Sequence, residues 1–159
     1  MKKIDAINKK ILELLQEDSS ITNVELAEKL NLSPTTVFER VKKLEQKGII
    51  SKRVVLLNPA KVGKGTIAFI SISMSGHSAK SVKNFWKEIE KLPEVLECYH
   101  IAGEEDFILK VIVENMQCYE KFLLHKLISI ENIGKIRTSF VMSTVKYQTK
   151  IPLTEICEN

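Results

Sequence analysis

Cysteine is scarce in this chain of 159 residues: Cys98, Cys118 and Cys157 are odd in number and far apart. Such spacing argues against a framework of paired disulfides and for a reducing compartment, so the expected location is the cytoplasm. Long apolar runs are missing too. None approaches the ~18 residues that a membrane-spanning helix needs. Asp5, Lys9 and Lys10 interrupt the apolar stretch that a secretory leader would require. Histidine is limited to His77, His100 and His125, none at ligand spacing from the cysteines. Cys98 and His100 can share a strand face, but two groups do not close a metal site. No nucleophile–base set or glycine-rich phosphate loop occurs. The expectation is a non-enzyme with no cofactor, no metal and no membrane partner. With 44% hydrophobic and 28% charged residues the chain is globular, long enough for one domain or two small ones.

The most organised stretch is Ser33-Pro34-Thr35-Thr36-Val37-Phe38-Glu39-Arg40-Val41-Lys42-Lys43-Leu44-Glu45. Ser33 can cap a helix by accepting an orphan N–H of the first turn. Pro34 suits the first helical position, where no N–H is needed. Val37, Val41 and Leu44 recur at spacings of four and three and share one face, with Thr35, Thr36, Glu39, Lys42 and Lys43 opposite. A basic, hydroxyl-bearing helix face of this kind fits the DNA major groove. Upstream, Thr22-Asn23-Val24-Glu25 has the form of a capping box. The short helix it opens is expected to turn Val24, Ala27 and Leu30 inward and to stop at Asn31-Leu32. An earlier helix, roughly Asp5 to Gln16, offers Ile7, Ile11, Leu14 and Leu15. Gly48 supplies a C-terminal stop, and Ile49 to Val55 is expected as a short β-wing carrying Lys52 and Arg53. Three helices and a wing predict a winged helix-turn-helix over residues 1–53. A small helical bundle used for protein contacts is the alternative.

Charge placement favours DNA. Of 24 Lys+Arg and 20 Asp+Glu, residues 33–53 hold Arg40, Lys42, Lys43, Lys47, Lys52 and Arg53 against Glu39 and Glu45. The whole net charge of +4 therefore sits on this helix and wing, as an electrostatic footprint on phosphates requires. The candidate DNA-binding residues are Ser33, Thr35, Thr36, Glu39, Arg40, Lys42, Lys43, Lys52 and Arg53. Arg40 lies toward the helix flank, where bracing the domain is its other role.

Pro59, Gly63 and Gly65 mark residues 54–65 as a linker, in which Val54 to Leu57 can pair as a strand. Beyond it the period becomes two: Ile70, Ile72 and Met74 alternate with Ser71, Ser73 and Ser75, with Ile67 and Phe69 on the other face. Val82, Phe85, Trp86, Ile89 and Leu92 follow helical spacing up to Pro93. Strands are expected at Val95 to Ala102, at Phe107 to Val113 after the turn Gly103-Glu104-Glu105-Asp106, and at Ile133 to Tyr147. Met116, Tyr119, Leu123 and Leu127 mark a helix between the last two. This βαββαβ order predicts an α+β chain: a ferredoxin-like sandwich over 66–148, two helices covering one face of an antiparallel sheet, with a tail at 149–159. The other face includes Ile67, Phe69, Ile108 and Ile112, too apolar to be left in water, and a twofold dimer is the simplest cover.

Taken together, Ile4-Asp5…Ile11-Leu12…Leu15-Gln16, Leu32-Ser33-Pro34-Thr35…Arg40-Val41…Leu44-Glu45…Gly48-Ile49-Ile50, Leu57-Asn58-Pro59 and Glu97-Cys98-Tyr99…Gly103-Glu104-Glu105-Asp106-Phe107 resemble the Lrp/AsnC family of feast/famine transcriptional regulators. The resemblance covers nearly the whole chain. It implies a winged helix-turn-helix joined to a ferredoxin-like effector domain, double-stranded DNA and a small effector such as an amino acid as partners, and homodimers that assemble further into tetramers or octamers. Gly103 and Asp106 match the family's effector turn, whereas Glu105 stands where an aromatic is frequent. An effector's α-carboxylate needs donors such as the N–H groups around Gly103. Its ammonium needs Asp106 or Glu104, and a bound cation would ease three adjacent acids. Tyr99, Ile101, Thr138 and Ser139 complete the expected effector site. An acidic solvated turn without ligand is the alternative there. For the whole chain the alternatives are a siroheme-decarboxylase-like enzyme on the same plan, with His100 as its one suitable histidine, and an architectural DNA-binding protein with no effector.

Overall fold

A computed structural model describes residues 4–76 and 78–153. His77 and Cys157 lie outside the described residues. The chain divides into two compact units, Met1–Leu56 with Lys146–Asn159, and Leu57–Val145.

The first unit is built from three capped helices. Asp5 caps α1 (Ala6–Glu17), its Oδ1 accepting the Asn8 N–H at 2.8 Å. Thr22 and Glu25 satisfy each other's N–H groups at the start of α2 (Asn23–Leu30), the reciprocal arrangement a capping box requires. Asn31 takes a left-handed turn with φ 53°, and Ser33 then caps α3 (Pro34–Gln46) from the Thr36 N–H. At the end of α3, Gly48 at φ 67° lets Ile49 N–H return to the Leu44 carbonyl. Ile11, Leu12, Ile21, Leu26, Ala27, Val37, Val41 and Leu44 form the core. Val24 does not join it and is 53% exposed. Leu26, Ala27 and Leu30 share the inner face of α2, and Val24 lies about 200° from Leu26 around the helix.

The wing expected at Ile49 to Val55 is not a strand, and neither is the linker strand at Val54 to Leu57. A strand needs a neighbour to take its N–H and C=O groups, and among the described residues this stretch has none. Val55 is left 84% exposed.

The second unit has the order β1 (Thr66–Met74), α4 (Ala79–Glu90), β2 (Val95–His100), β3 (Phe107–Val113), α5 (Met116–Phe122) and β4 (Ile133–Phe140). The antiparallel sheet runs β2-β3-β1-β4. Ala68, Ile70, Ile72 and Met74 of β1 and Phe107, Leu109, Val111 and Val113 of β3 point to the helix side, where they pack with Phe85, Ile89, Tyr119, Phe122 and Leu127. This is the ferredoxin-like sandwich. Beyond α5 the chain continues as a π-helical segment, Leu123–Leu127. The last strand stops at Phe140, well short of Tyr147, because Phe140 pairs with Ala68 near the start of β1 and no strand lies beyond to continue the ladder. The second strand likewise ends at His100, not Ala102.

Two local devices finish this sheet. The β1–β4 register slips between Ser73 and Met74, with Gly134 as the extra residue of a bulge. A Cβ on Gly134 would lie 3.0 Å from the Ser73 carbonyl oxygen and 3.2 Å from the Ser75 nitrogen, both backbone. On the other side, Phe107 pairs with Ile72, so Met74 lies beyond the end of β3. Its N–H donates instead to Asp106 Oδ2 at 2.7 Å, which satisfies a backbone donor that would otherwise lack a ladder partner.

Candidate functional site

The outer side of α3 is the first site. Thr35, Thr36, Glu39, Lys42 and Lys43 are exposed on it, opposite buried Val37, Val41 and Leu44. An open cleft of about 990 Å³ runs beside it, with Thr35, Thr36, Glu39, Arg40, Lys43 and Lys47 along one wall. Lys43 makes no ion pair among the described residues. Lys42 stands 5.8 Å from the centroid of the Phe38 ring, an exposed aromatic that hydrophobic periodicity alone did not mark. Ser33 and Thr36 hydroxyls are 2.8 Å apart and complete the cap. Lys52 is exposed, and Arg53 pairs with Glu45 at 3.3 Å.

Arg40, on the wall of that cleft, is bonded across it to α1. Its guanidinium donates to Asp5 Oδ2 and to Asn8 Oδ1, each at 3.1 Å, so it ties α3 to the start of α1. The Asp5 carboxyl is held below its ordinary range, chiefly by the Asn8 N–H and further by Arg40. The cation counted with the DNA face is thus engaged within the fold.

The second site is the turn at 101–106. It is tied down by Ile101 N–H to the Asp106 carbonyl and Asp106 N–H to the Ile72 carbonyl, both at 2.9 Å. Gly103 is exposed, and a Cβ there would meet nothing within 4 Å. Glu105 pairs with Arg137 of β4. The countercharge that three adjacent acids call for is therefore supplied by the chain itself. Asp106, offered above for an ammonium, already holds the Met74 N–H.

Along β4 the side chains alternate. Thr138 turns to the helix side, where its hydroxyl meets that of Tyr119, and Ser139 points to the opposite face with Arg137. Thr138 and Ser139 thus share no site. On that outer face Tyr99 O–H donates to Glu97 Oε2 at 2.9 Å and Lys110 Nζ to Glu97 Oε1 at 2.8 Å. The Lys110 contact keeps the Glu97 carboxyl low, and Glu97 in turn pushes the Tyr99 hydroxyl up. His100 is occupied structurally: its ring stacks on Phe107 at 4.8 Å. No helix among the described residues is long and apolar enough to cross a membrane.

Comparison with known proteins agrees with this geometry. Residues 4–51 match the winged helix-turn-helix DNA-binding family, and residues 67–151 match the Lrp/AsnC ligand binding domain. The chain is 36% identical over 150 residues to the DNA-binding transcriptional activator DecR of Escherichia coli, a match that covers 94% of this chain and 99% of that protein. It is 37% identical over 155 residues to the glutamate uptake regulatory protein of Zymomonas mobilis, covering 98% and 94%. A transcriptional regulator of Neisseria meningitidis, solved as its L-Met complex, superposes with a TM-score of 0.90 at 36% identity over 94% of this chain and 97% of that one. These relatives are regulators by name, and neither the decarboxylase-like nor the purely architectural reading gains support from them. The chain belongs to the Lrp/AsnC family of DNA-binding transcriptional regulators.

Proposed function

We propose that this regulator answers an amino acid held at the Gly103–Asp106 turn, and that it does so as an assembly of dimers. The observation that carries the reading is the turn itself: a rigidly tied loop with open space at Gly103, in a domain whose structural neighbour was solved with L-Met. Backbone N–H groups around Gly103 receive the α-carboxylate, with Tyr99, Ile101 and Ser139 as flanking contacts. The ammonium is met by Glu104 or by the charge of Asp106. The Glu105–Arg137 pair leaves little net charge on its side, which suits a neutral side chain better than a basic one. Residues 1–53 serve as the DNA-binding domain, 54–65 as the linker and 66–148 as the effector domain. Ile67, Phe69, Ile108 and Ile112 are covered by a second copy.

Thermal shift of the full chain against the twenty amino acids tests the effector, because a specific ligand stabilises the native state by mass action. Asp106→Asn then separates two roles, since asparagine keeps an acceptor for Met74 N–H but loses the charge. A neutral amino acid that stabilises the wild type and binds the Asn variant about tenfold more weakly or worse supports the site. Equal binding by both proteins removes Asp106 from it.

A further inference from the structure

The C-terminal segment is read from sequence as a tail, yet its described part is folded into the DNA-binding unit. Ile151 N–H donates to Gln16 Oε1 at 2.7 Å, and Gln16 Nε2 donates to the Ile151 carbonyl at 3.1 Å. A primary amide offers a donor and an acceptor on separate atoms side by side, so Gln16 holds both the N–H and the C=O of Ile151, much as a neighbouring strand would. Next to it Lys150 pairs with Glu17, and this contact holds the Glu17 carboxyl below its ordinary value. Leu153 packs against the core formed by the three helices. Thr149, Ile151 and Leu153 line a cleft of about 640 Å³ together with Leu12, Leu15 and the unpaired stretch from Ile49 to Leu56.

We propose that residues 149–153 are a strap that positions α1 and the 49–56 stretch, and that DNA binding by α3 depends on it. The physical reason is the small size of the first unit. Its core holds only eight buried side chains, seven from the three helices and Ile21 from the α1–α2 loop, and the segment that would be a wing has no strand partner among the described residues. The strap supplies hydrogen bonds and one further apolar side chain where that unit is least closed. It also gives the chain two covalent crossings between the units, one at Leu56–Leu57 and one at Val145–Lys146. The three-helix part of the first unit is therefore not a self-sufficient module: residues 149–153 complete it.

Hydrogen exchange and duplex binding of the full chain, of Gln16→Glu, and of a chain ending at Gln148 test this. In Gln16→Glu the acceptor for Ile151 N–H remains, but a carboxylate faces the Ile151 carbonyl. Roughly threefold to tenfold faster exchange is expected for α1 amides in Gln16→Glu. The shortened chain should show a larger effect, with β1 and β3 amides unchanged in both, and duplex affinity should fall in the same order. If α1 protection and duplex affinity stay at wild-type values in either variant, the strap is overturned. The same holds if duplex affinity falls without loss of α1 protection. If the shortened chain does not fold, Gln16→Glu alone decides.

Discussion

Lys43 and Arg40 are both cations of α3, three residues apart, but Arg40 is bonded to Asp5 and Asn8 whereas Lys43 is exposed, so different parts are expected of them. Lys43 is exposed and makes no ion pair among the described residues, so Lys43→Ala should alter folding stability by less than about 0.5 kcal/mol. On DNA it should remove one phosphate contact per engaged helix. Each such contact adds about 0.9 to the slope of log affinity against log salt. Between about 50 and 200 mM salt that is a factor of about 3.5, so the deficit of Lys43→Ala should shrink by that factor per helix as salt rises. Arg40→Ala should behave differently. It unties Asp5 and Asn8 from α3, and since Arg40 and Asp5 side chains are 30% and 53% exposed, the loss is discounted by solvent to about 1 kcal/mol or less of stability. Its salt slope should stay near that of the wild type. Fluorescence anisotropy of a labelled duplex over a salt series, with thermal melts alongside, reads both quantities. A Lys43→Ala slope equal to the wild type, or an Arg40→Ala slope reduced by one phosphate, would refute the assignment.

Other outcomes are expected. Asp5, Glu17, Asp18 and Glu25 all have folded values below the ordinary carboxyl range, so they stabilise the first unit above that range and lose this as pH falls through their folded values; far-UV melts should drop as pH is taken down through and below that range, less so in Asp5→Asn, which keeps the cap and loses the charge. Gly134→Ala should destabilise the second unit by about 1–3 kcal/mol, because the new Cβ meets backbone of β1 that cannot yield cheaply, and an unchanged melt would remove the bulge argument. Leu109→Ala, at a fully buried position, should cost about 2–5 kcal/mol in denaturant unfolding. Light scattering should give at least twice the 18.1 kDa chain mass at micromolar concentration, and a monomer mass would leave Phe69 and its neighbours without their proposed cover.

The legible parts of this chain were those written in local chemistry. The caps at Ser33 and Thr22–Glu25, the stop at Gly48 and the period of Val37, Val41 and Leu44 need only neighbours within a turn of helix, and each appears as read. Strand ends were not legible, because β4 stops where β1 runs out, and that depends on pairing across the sheet. The strand form of the wing was not legible for the same reason: Ile49 to Val55 has strand-like residues but, among the described residues, no strand beside it. At the turn, Gly103 to Asp106 was visible as a motif, but the Arg137 that balances Glu105 and the Met74 N–H that occupies Asp106 are about thirty residues away along the chain. That Thr138 and Ser139 face opposite sides of the sheet follows from the pleat, which decides which face a residue serves. The grip of Gln16 on Ile151 spans 135 residues and leaves no periodic trace.

The most direct test of α3 as a sequence reader is selection from a random duplex pool by the full chain, in parallel with Thr35→Ala and Lys43→Ala. Wild type should enrich a recurring site, Thr35→Ala should relax the preference at defined base positions, and Lys43→Ala should weaken binding uniformly without changing the site. A wild-type pool with no recurring site, or the same site recovered at equal strength by both variants, would contradict the account.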